Sequence, residues 1–156
     1  MKKSPKKKID LFVRVVLRKD MDKITISALC AKEIGLVWKA WTNPEHIIHW
    51  TFASPDWHSP RAESDLRAGG RFLTRMEAKD GSAGFDFEGT FLTVEEPGKI
   101  VYRMDDGREV EIVFEKQDNK TLITEIFDPE NIHPAELQKQ GWQSILDNFV
   151  RYAESL

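Results

Sequence analysis

The C-terminal segment, residues 134–156, limits the possible folds more than any other part of the chain. Pro134 suits a first helical position, and Glu136 in the first turn complements the helix dipole. A lone helix of this length is marginal in water, so its apolar face must be covered by the rest of the chain. That face consists of apolar residues at steps of three and four, namely Trp142, Ile145, Leu146, Phe149, Ala153 and Leu156.

The segment between Leu66 and Phe127 supplies the cover, because it reads as a series of strands separated by turns. Short turns between neighbouring strands favour an antiparallel meander, and a curved meander has one concave apolar face that the final helix can fill. The alternating segments are 71–79, 85–95, 100–104, 110–115 and 121–127, with Gly, Asn, Asp or Pro between them. The order is therefore one strand, two helices, about six antiparallel strands and one long helix.

The inward face of segment 121–127 is not assigned by the pattern, because both of its faces are partly apolar. If Ile123 and Phe127 face the core, Glu125 does so too, and it becomes a buried carboxylate that needs a partner. If Leu122 and Ile126 face the core instead, Glu125 points to water.

The first half of the chain predicts a core strand over 24–30 and a helix from about 33 to 42. Asn43 is a good N-cap, and Pro44 suits the start of a second short helix that carries Ile47, Ile48 and Trp50. Residues 51–64 read as a loop anchored by Trp57. Residues 9–20 alternate with period two, which favours a strand at a sheet edge or against a second subunit.

Length, composition and charge limit the kinds of protein that this chain can be. The chain has 156 residues, 40% of them hydrophobic, which predicts one globular domain. The net charge is −3, and five lysines among residues 1–8 contribute +5, so the remainder carries −8. An acidic body argues against a nucleic-acid-binding domain. We predict a basic N-terminal extension over residues 1–22, with a partly disordered tail, and a folded domain over residues 23–156.

Cysteine usage and hydropathy indicate the compartment. Cys30 is the only cysteine in the sequence, so no disulfide can form within the chain, and its place in an apolar strand favours a buried, inert thiol. The apolar segment 11–17 is short and contains Arg14, which argues against a secretory signal. No run reaches the roughly 20 apolar residues of a membrane span. These features predict a cytoplasmic protein.

The sequence contains no established catalytic motif. Phosphate loops, dinucleotide fingerprints and the Gly-x-Ser-x-Gly elbow are all absent from it. His46 and His49 are spaced like a metal pair, but no further ligands accompany them. Asp65 and Arg67, two positions apart, read as a structural ion pair. We therefore predict no catalytic residue, no metal and no cofactor.

Several short segments together resemble one protein family. They are residues 37–46 with Trp50 after them, 65–72, 80–81, 89–91, 121–124 and 141–142. In this order and spacing they look like the family named after activators of the 90-kDa heat-shock chaperone ATPase, part of the START-like (SRPBCC) superfamily. The resemblance covers roughly residues 23–156. Lys32 and Glu33 stand where family members usually have Ala-Pro.

The resemblance implies an α+β helix-grip fold, in which a curved antiparallel sheet wraps around a long C-terminal helix and two short helices follow the first strand. It also implies a hydrophobic cavity between sheet and long helix. The candidate lining residues, chosen as core aromatics and as positions between helix and sheet, are Trp50, Phe72, Met76, Phe87, Tyr102, Glu125, Gly141, Trp142, Ile145 and Phe149. Small residues such as Gly89 and Gly141 are expected to leave room for it.

The function expected from these features is non-catalytic binding of a small hydrophobic or amphipathic ligand in the cavity. One alternative is an enzyme, such as a cyclase or hydrolase, that uses a polar group in the same cavity. A second alternative, which the family name connects with the stress response, is a chaperone ATPase activator. The family's founding proteins carry a separate N-terminal domain for much of the chaperone contact, so we expect little stimulation by this chain alone. No nucleic-acid partner is expected, and the protein is expected to be a monomer or a homodimer.

Overall fold

The computed structural model describes residues 22–156. In chain order the elements are β1 (Ile24–Cys30), α1 (Ile34–Thr42), α2 (Pro44–Ile47), β2 (Trp57–Ser64), β3 (Arg71–Ala78), β4 (Gly84–Glu95), β5 (Lys99–Met104), β6 (Glu109–Gln117), β7 (Lys120–Phe127) and α3 (Ala135–Glu154). The segments 1–8 and 9–20, for which a disordered tail and a strand are predicted, lie outside the described residues.

The seven strands form one antiparallel sheet in the order β1-β7-β6-β5-β4-β3-β2. Strands β2 to β7 follow one another as a meander, as predicted from the turns. Strand β1 is added beside β7, with Ile24 opposite Phe127. The sheet curls into a half-barrel around α3, and α1 and α2 follow β1. This arrangement is an α+β helix-grip fold, which confirms the predicted fold class.

Helix α3 packs its apolar face into the concave side of the sheet. Leu146, Phe149 and Ala153 are buried there, whereas the predicted last member of the face, Leu156, is 45% exposed beyond the helix end. Pro134, predicted as the first helical residue, is instead the N-cap, and α3 begins one residue later at Ala135. The C-terminal end of α3 is tied to the segment after β1, because the Lys32 ammonium donates to the Leu156 carbonyl oxygen at 2.9 Å.

Two local expectations are wrong. Residues 57–64 form the edge strand β2 rather than part of a loop, pairing with β3 across a bulge between His58 and Arg61. An edge strand with a bulge tolerates Pro60, which has no N–H to donate. Gly89 leaves no gap for a cavity, because a Cβ there would collide with the Arg103 carbonyl oxygen of β5. Its role is the close approach of two neighbouring strands.

Three other expectations are confirmed. Cys30 is fully buried, and burial raises the pKa of its thiol. Arg67 Nε donates to the Asp65 carboxylate at 2.9 Å, which makes the predicted ion pair. Asn43 is the N-cap of α2 as predicted, because its side chain accepts from the backbone N–H of Glu45. Within residues 22–156 no helix is long and apolar enough to cross a membrane.

Candidate functional site

A cavity of about 300 Å³ lies between the concave face of the sheet and the helices. Strands β2 to β7 all contribute side chains to its wall, and Trp142 and Ile145 of α3 close it from the other side. Trp41 of α1 and the segment after α2, including Trp50, complete the lining. Most of these side chains are apolar or aromatic, which is typical of small-molecule sites.

A group of aromatic rings gives the cavity wall its shape. Phe72 of β3 packs edge-on against Tyr102 of β5, with ring centroids 4.8 Å apart. Phe87 of β4 lies between them and α3, 6.0 Å from Tyr102 and 6.3 Å from Trp142. These rings come from strand positions of one parity, so the pleat of the sheet turns them all to the concave side.

A second aromatic group holds the helices over the cavity. Trp41 and Trp50 each contact Phe149 of α3, with ring centroids 4.7 and 4.8 Å apart. The indole nitrogen of Trp50 donates to the Ala40 carbonyl oxygen at 3.0 Å, so its polar atom is satisfied. The group therefore fixes α1, α3 and the segment after α2 relative to one another.

Glu125 is the buried acid of the cavity wall. The inward face of β7 consists of Thr121, Ile123, Glu125 and Phe127, and Glu125 is only 6% exposed. This settles the alternative left open by the sequence pattern. Its carboxyl group has no hydrogen-bond partner among residues 22–156, and burial raises its pKa to about 8. At neutral pH the group is therefore mostly a protonated carboxylic acid.

Three further ionisable side chains line the cavity. Glu63 of β2 is exposed, so it lies where the cavity meets solvent. Arg108 lies in the turn before β6, and its Nε donates to the Asp106 carboxylate at 2.9 Å. The pKa of the Tyr102 hydroxyl is raised by burial and then by the nearby charge of Glu125. The ionisable groups of the cavity are thus two carboxyl groups, one phenol and one guanidinium that is already paired with Asp106.

The predicted lining residues largely come together. Eight of the ten line the cavity: Trp50, Phe72, Met76, Phe87, Tyr102, Glu125, Trp142 and Ile145. Phe149 does not, because it is fully buried behind the cavity against Trp41 and Trp50. Gly141 does not either, and a Cβ there would meet no atom within 4 Å, so this glycine neither makes room for the cavity nor touches the sheet.

Sequence reasoning missed several lining residues, among them Trp41, Thr74 and Arg108. Thr74 shares the inward parity of Phe72 and Met76, a signal that would have identified it. Trp41 belongs to the predicted apolar face of α1, but the pattern does not separate lining from packing. Arg108 carries no such signal, since its position depends on the turn between β5 and β6.

The histidines of α2 and the residues after it contact α3. His46 Nδ1 is 2.6 Å from the Tyr152 hydroxyl, and the His49 ring stacks on the Tyr152 ring at 5.5 Å. Within residues 22–156, no three His, Cys, Asp or Glu side chains converge to form a possible metal site. These histidines therefore connect helices.

A family model and two solved structures of similar sequence point to the same protein family. The model of the family described as "Activator of Hsp90 ATPase homolog 1-like protein" matches residues 33–154. The solution structure of an AHSA1-like protein from Aeromonas hydrophila is 50% identical, with a TM-score of 0.81, over 85% of this chain and 92% of that one. Chr148 from Cytophaga hutchinsonii is 48% identical, with a TM-score of 0.75, over 86% and 93%.

More distant structures share the fold alone. Protein NE0264 from Nitrosomonas europaea is 20% identical, with a TM-score of 0.73, over 85% of this chain and 94% of that one. No curated protein matches the chain.

Proposed function

Because the chain belongs to the activator of Hsp90 ATPase homolog 1-like family, whose START-like fold suggests a ligand-binding domain, we propose that it binds a small hydrophobic or amphipathic ligand without catalysis. The observation that carries this proposal is the cavity of about 300 Å³, lined mainly by aromatic and aliphatic side chains. A void of this size and composition favours an apolar occupant over water.

The direct test uses native mass spectrometry of the protein purified without denaturation. A bound small molecule, released and identified after unfolding, is the expected result. In parallel, butylbenzene is titrated by calorimetry as a purely apolar probe. Thr74 is buried and lines the cavity, so Thr74→Phe should fill it and abolish probe binding.

A matched control separates cavity filling from the general effect of a new aromatic ring. Thr25 is exposed and lies on the outer face of β1. Thr25→Phe should therefore leave probe affinity unchanged. Equal loss of binding in both variants, or a wild type that binds neither butylbenzene nor any amphipathic compound with the same body, would contradict the proposal.

An enzymatic alternative rests on Glu125. A carboxyl group with a pKa of about 8 inside an apolar cavity can donate a proton at neutral pH, as a general acid does. The two functions differ in the fate of the ligand. The molecule identified by mass spectrometry is incubated with fresh protein: unchanged recovery supports binding alone, whereas conversion that is lost in Glu125→Gln supports catalysis.

The chaperone alternative rests on the family's description, which refers to activation of the Hsp90 ATPase. It requires an outer surface rather than the cavity. We expect no more than slight stimulation of the chaperone ATPase by this protein, and several-fold stimulation at micromolar concentration would favour the alternative. Thr74→Phe distinguishes the two, because filling the cavity should not affect an activity of the outer surface.

We assign ligand binding to residues 23–156 and regard residues 1–22 as an extension. A reducing, cytoplasmic location is consistent with the single buried thiol of Cys30. A monomer or homodimer is expected, which analytical ultracentrifugation would distinguish.

A further inference from the structure

The buried carboxyl group of Glu125 is the feature of the cavity that apolar binding does not explain. Its neighbours across the sheet are Ile26 of β1 and Ile112 of β6, and along β7 they are Ile123 and Phe127. None of these side chains can accept or donate a hydrogen bond. A polar group buried without a partner costs free energy, which a ligand group could recover.

The charges around the cavity favour a positively charged partner. From β2 comes Glu63, from β5 the Tyr102 hydroxyl, and from the turn before β6 Arg108, which is already bound to Asp106. Helix α3 contributes only Trp142 and Ile145, neither of which ionises near neutral pH. A cation beside Glu125 would favour the ionised carboxylate and pair with it, whereas a ligand carboxylate would add another acidic group to a wall that already contains Glu63 and Glu125.

The aromatic wall favours the same charge. Phe72, Phe87, Tyr102 and Trp142 all line the cavity that Glu125 lines. Aromatic faces attract cations, most strongly where water is excluded. A carboxylate among aromatic rings can therefore bind a ligand whose ammonium group pairs with the carboxylate and whose apolar part contacts the rings.

We propose that the ligand of this cavity is an amine, with an apolar or aromatic body that fills the space between sheet and α3 and one protonated nitrogen that pairs with Glu125. This inference rests on the proposed function and specifies the chemical class of its ligand. Phe87 and Trp142 contact the body of the ligand, and the Glu125 carboxylate accepts hydrogen bonds from its nitrogen.

The proton balance follows from the state of Glu125. Without ligand its pKa is about 8, so at pH 7 the carboxyl group is mostly protonated. An ammonium ion that enters converts it to a carboxylate, and one proton leaves to solvent. Affinity for an amine therefore rises with pH up to about 8, whereas a neutral alcohol that uses the protonated carboxyl as donor binds more weakly as pH rises.

The experiment uses three compounds with one body, namely phenylbutylamine, phenylbutanol and phenylbutanoic acid, with butylbenzene as the body alone. Calorimetry is run at about pH 6, 7 and 8, in buffers of different ionisation enthalpy. For the amine we expect release of about one proton at pH 7 and an affinity gain of up to about tenfold per pH unit. The acid should bind most weakly of the three.

Glu125→Gln keeps the size of the side chain but cannot ionise. We expect it to lower amine affinity at pH 8 by about tenfold or more, with no proton release, and to leave butylbenzene affinity unchanged. Glu115 is exposed on the outer face of β6, so Glu115→Gln is the control and should behave as wild type. Retained butylbenzene binding shows that the cavity of the Glu125→Gln variant is intact. If the variant does not fold, proton release on amine binding to the wild type still tests the proposal.

The two proposals fail in different ways. If none of the four compounds binds to the wild type, the proposed function is contradicted and this inference falls with it. If butylbenzene and the alcohol bind, but the amine binds no tighter at pH 8 or releases no proton, only the amine inference is overturned. Tighter binding of phenylbutanoic acid than of the amine overturns it too.

Discussion

The indole ring of Trp142 lies parallel to the phenyl ring of Phe127, with centroids 3.9 Å apart and an interplanar angle of 13°. The pair joins α3 to β7 two positions from Glu125. It therefore holds the helix against the strand that carries the acidic group of the cavity.

Removing this stack should destabilise the fold. Trp142→Ala should lower the free energy of unfolding by roughly 2 to 4 kcal/mol, less than for a fully buried tryptophan because the residue is only partly buried. Trp142→Phe keeps a ring against Phe127 and should cost about half as much or less. Urea unfolding of the three proteins gives the values, and a loss below about 1 kcal/mol in Trp142→Ala would show that the stack is unimportant.

The pKa of Glu125 predicts how stability depends on pH. The folded-state pKa, about 8, lies above the unfolded value near 4.5, so between these values the folded state binds more protons. This group's contribution is thus fully present below about pH 4.5 and is lost as pH rises to about 8, by about 1.4 kcal/mol per pH unit. Other titrating groups add their own dependence, so the prediction is tested as a difference.

Glu125→Gln provides that difference, because the amide does not titrate. The variant should gain stability relative to wild type as pH rises from about 5 to 8, and become the more stable protein near pH 8. Urea midpoints at several pH values measure this, with Glu115→Gln as the control. A difference that does not change with pH would mean that the pKa of Glu125 is close to its ordinary value.

Two glycines should respond oppositely to the same substitution. Gly141 lies inside α3 with open space at its Cβ position, so Gly141→Ala should stabilise by about 0.5 to 1 kcal/mol. Gly89→Ala would place a Cβ against the Arg103 carbonyl oxygen and should destabilise instead. Thermal unfolding decides both, and unchanged butylbenzene affinity in Gly141→Ala would agree with the position of Gly141 outside the cavity.

The Tyr152 hydroxyl links α3 to His46 at 2.6 Å. Tyr152→Phe removes this hydrogen bond but keeps the ring that stacks on His49, so it should cost about 0.5 to 1.5 kcal/mol. Tyr152→Ala loses the ring too and should cost more. If the two variants are equally stable in urea unfolding, the contribution is from the hydroxyl alone and the stacking prediction is wrong.

The elements with local signals could be predicted from the sequence. Strands β3 to β7 alternate and are separated by turn residues, and α1 and α3 have apolar faces at helical spacing. Strand β2 could not be predicted from the sequence, because Pro60 and the bulge beside it interrupt the alternation of apolar and polar residues. Its pairing with β3 makes it a strand.

The candidate site was harder to predict from the sequence, because the direction of its side chains depends on pairing between strands that are distant in the chain. The direction of Glu125 is set by the register of β7 with β1 and β6, and Leu122 and Ile126 on the opposite face are also apolar. For Gly141 the prediction from the sequence was wrong. Its position on the long helix suggested a space between helix and sheet, but its rotation about the helix axis turns its Cβ position away from any neighbour.

The pairing of β1 with β7 and the bond from Lys32 to Leu156 also constrain how the protein can fold during synthesis. The strands of the meander can pair with their neighbours as they leave the ribosome, but the strand that pairs with β1 within residues 22–156 is β7, which is the last strand to be made. The concave wall remains uncovered until α3 has followed. The aromatic side chains of the sheet are therefore made before the helix that covers them, and we expect the cavity to be enclosed only after α3 has been made.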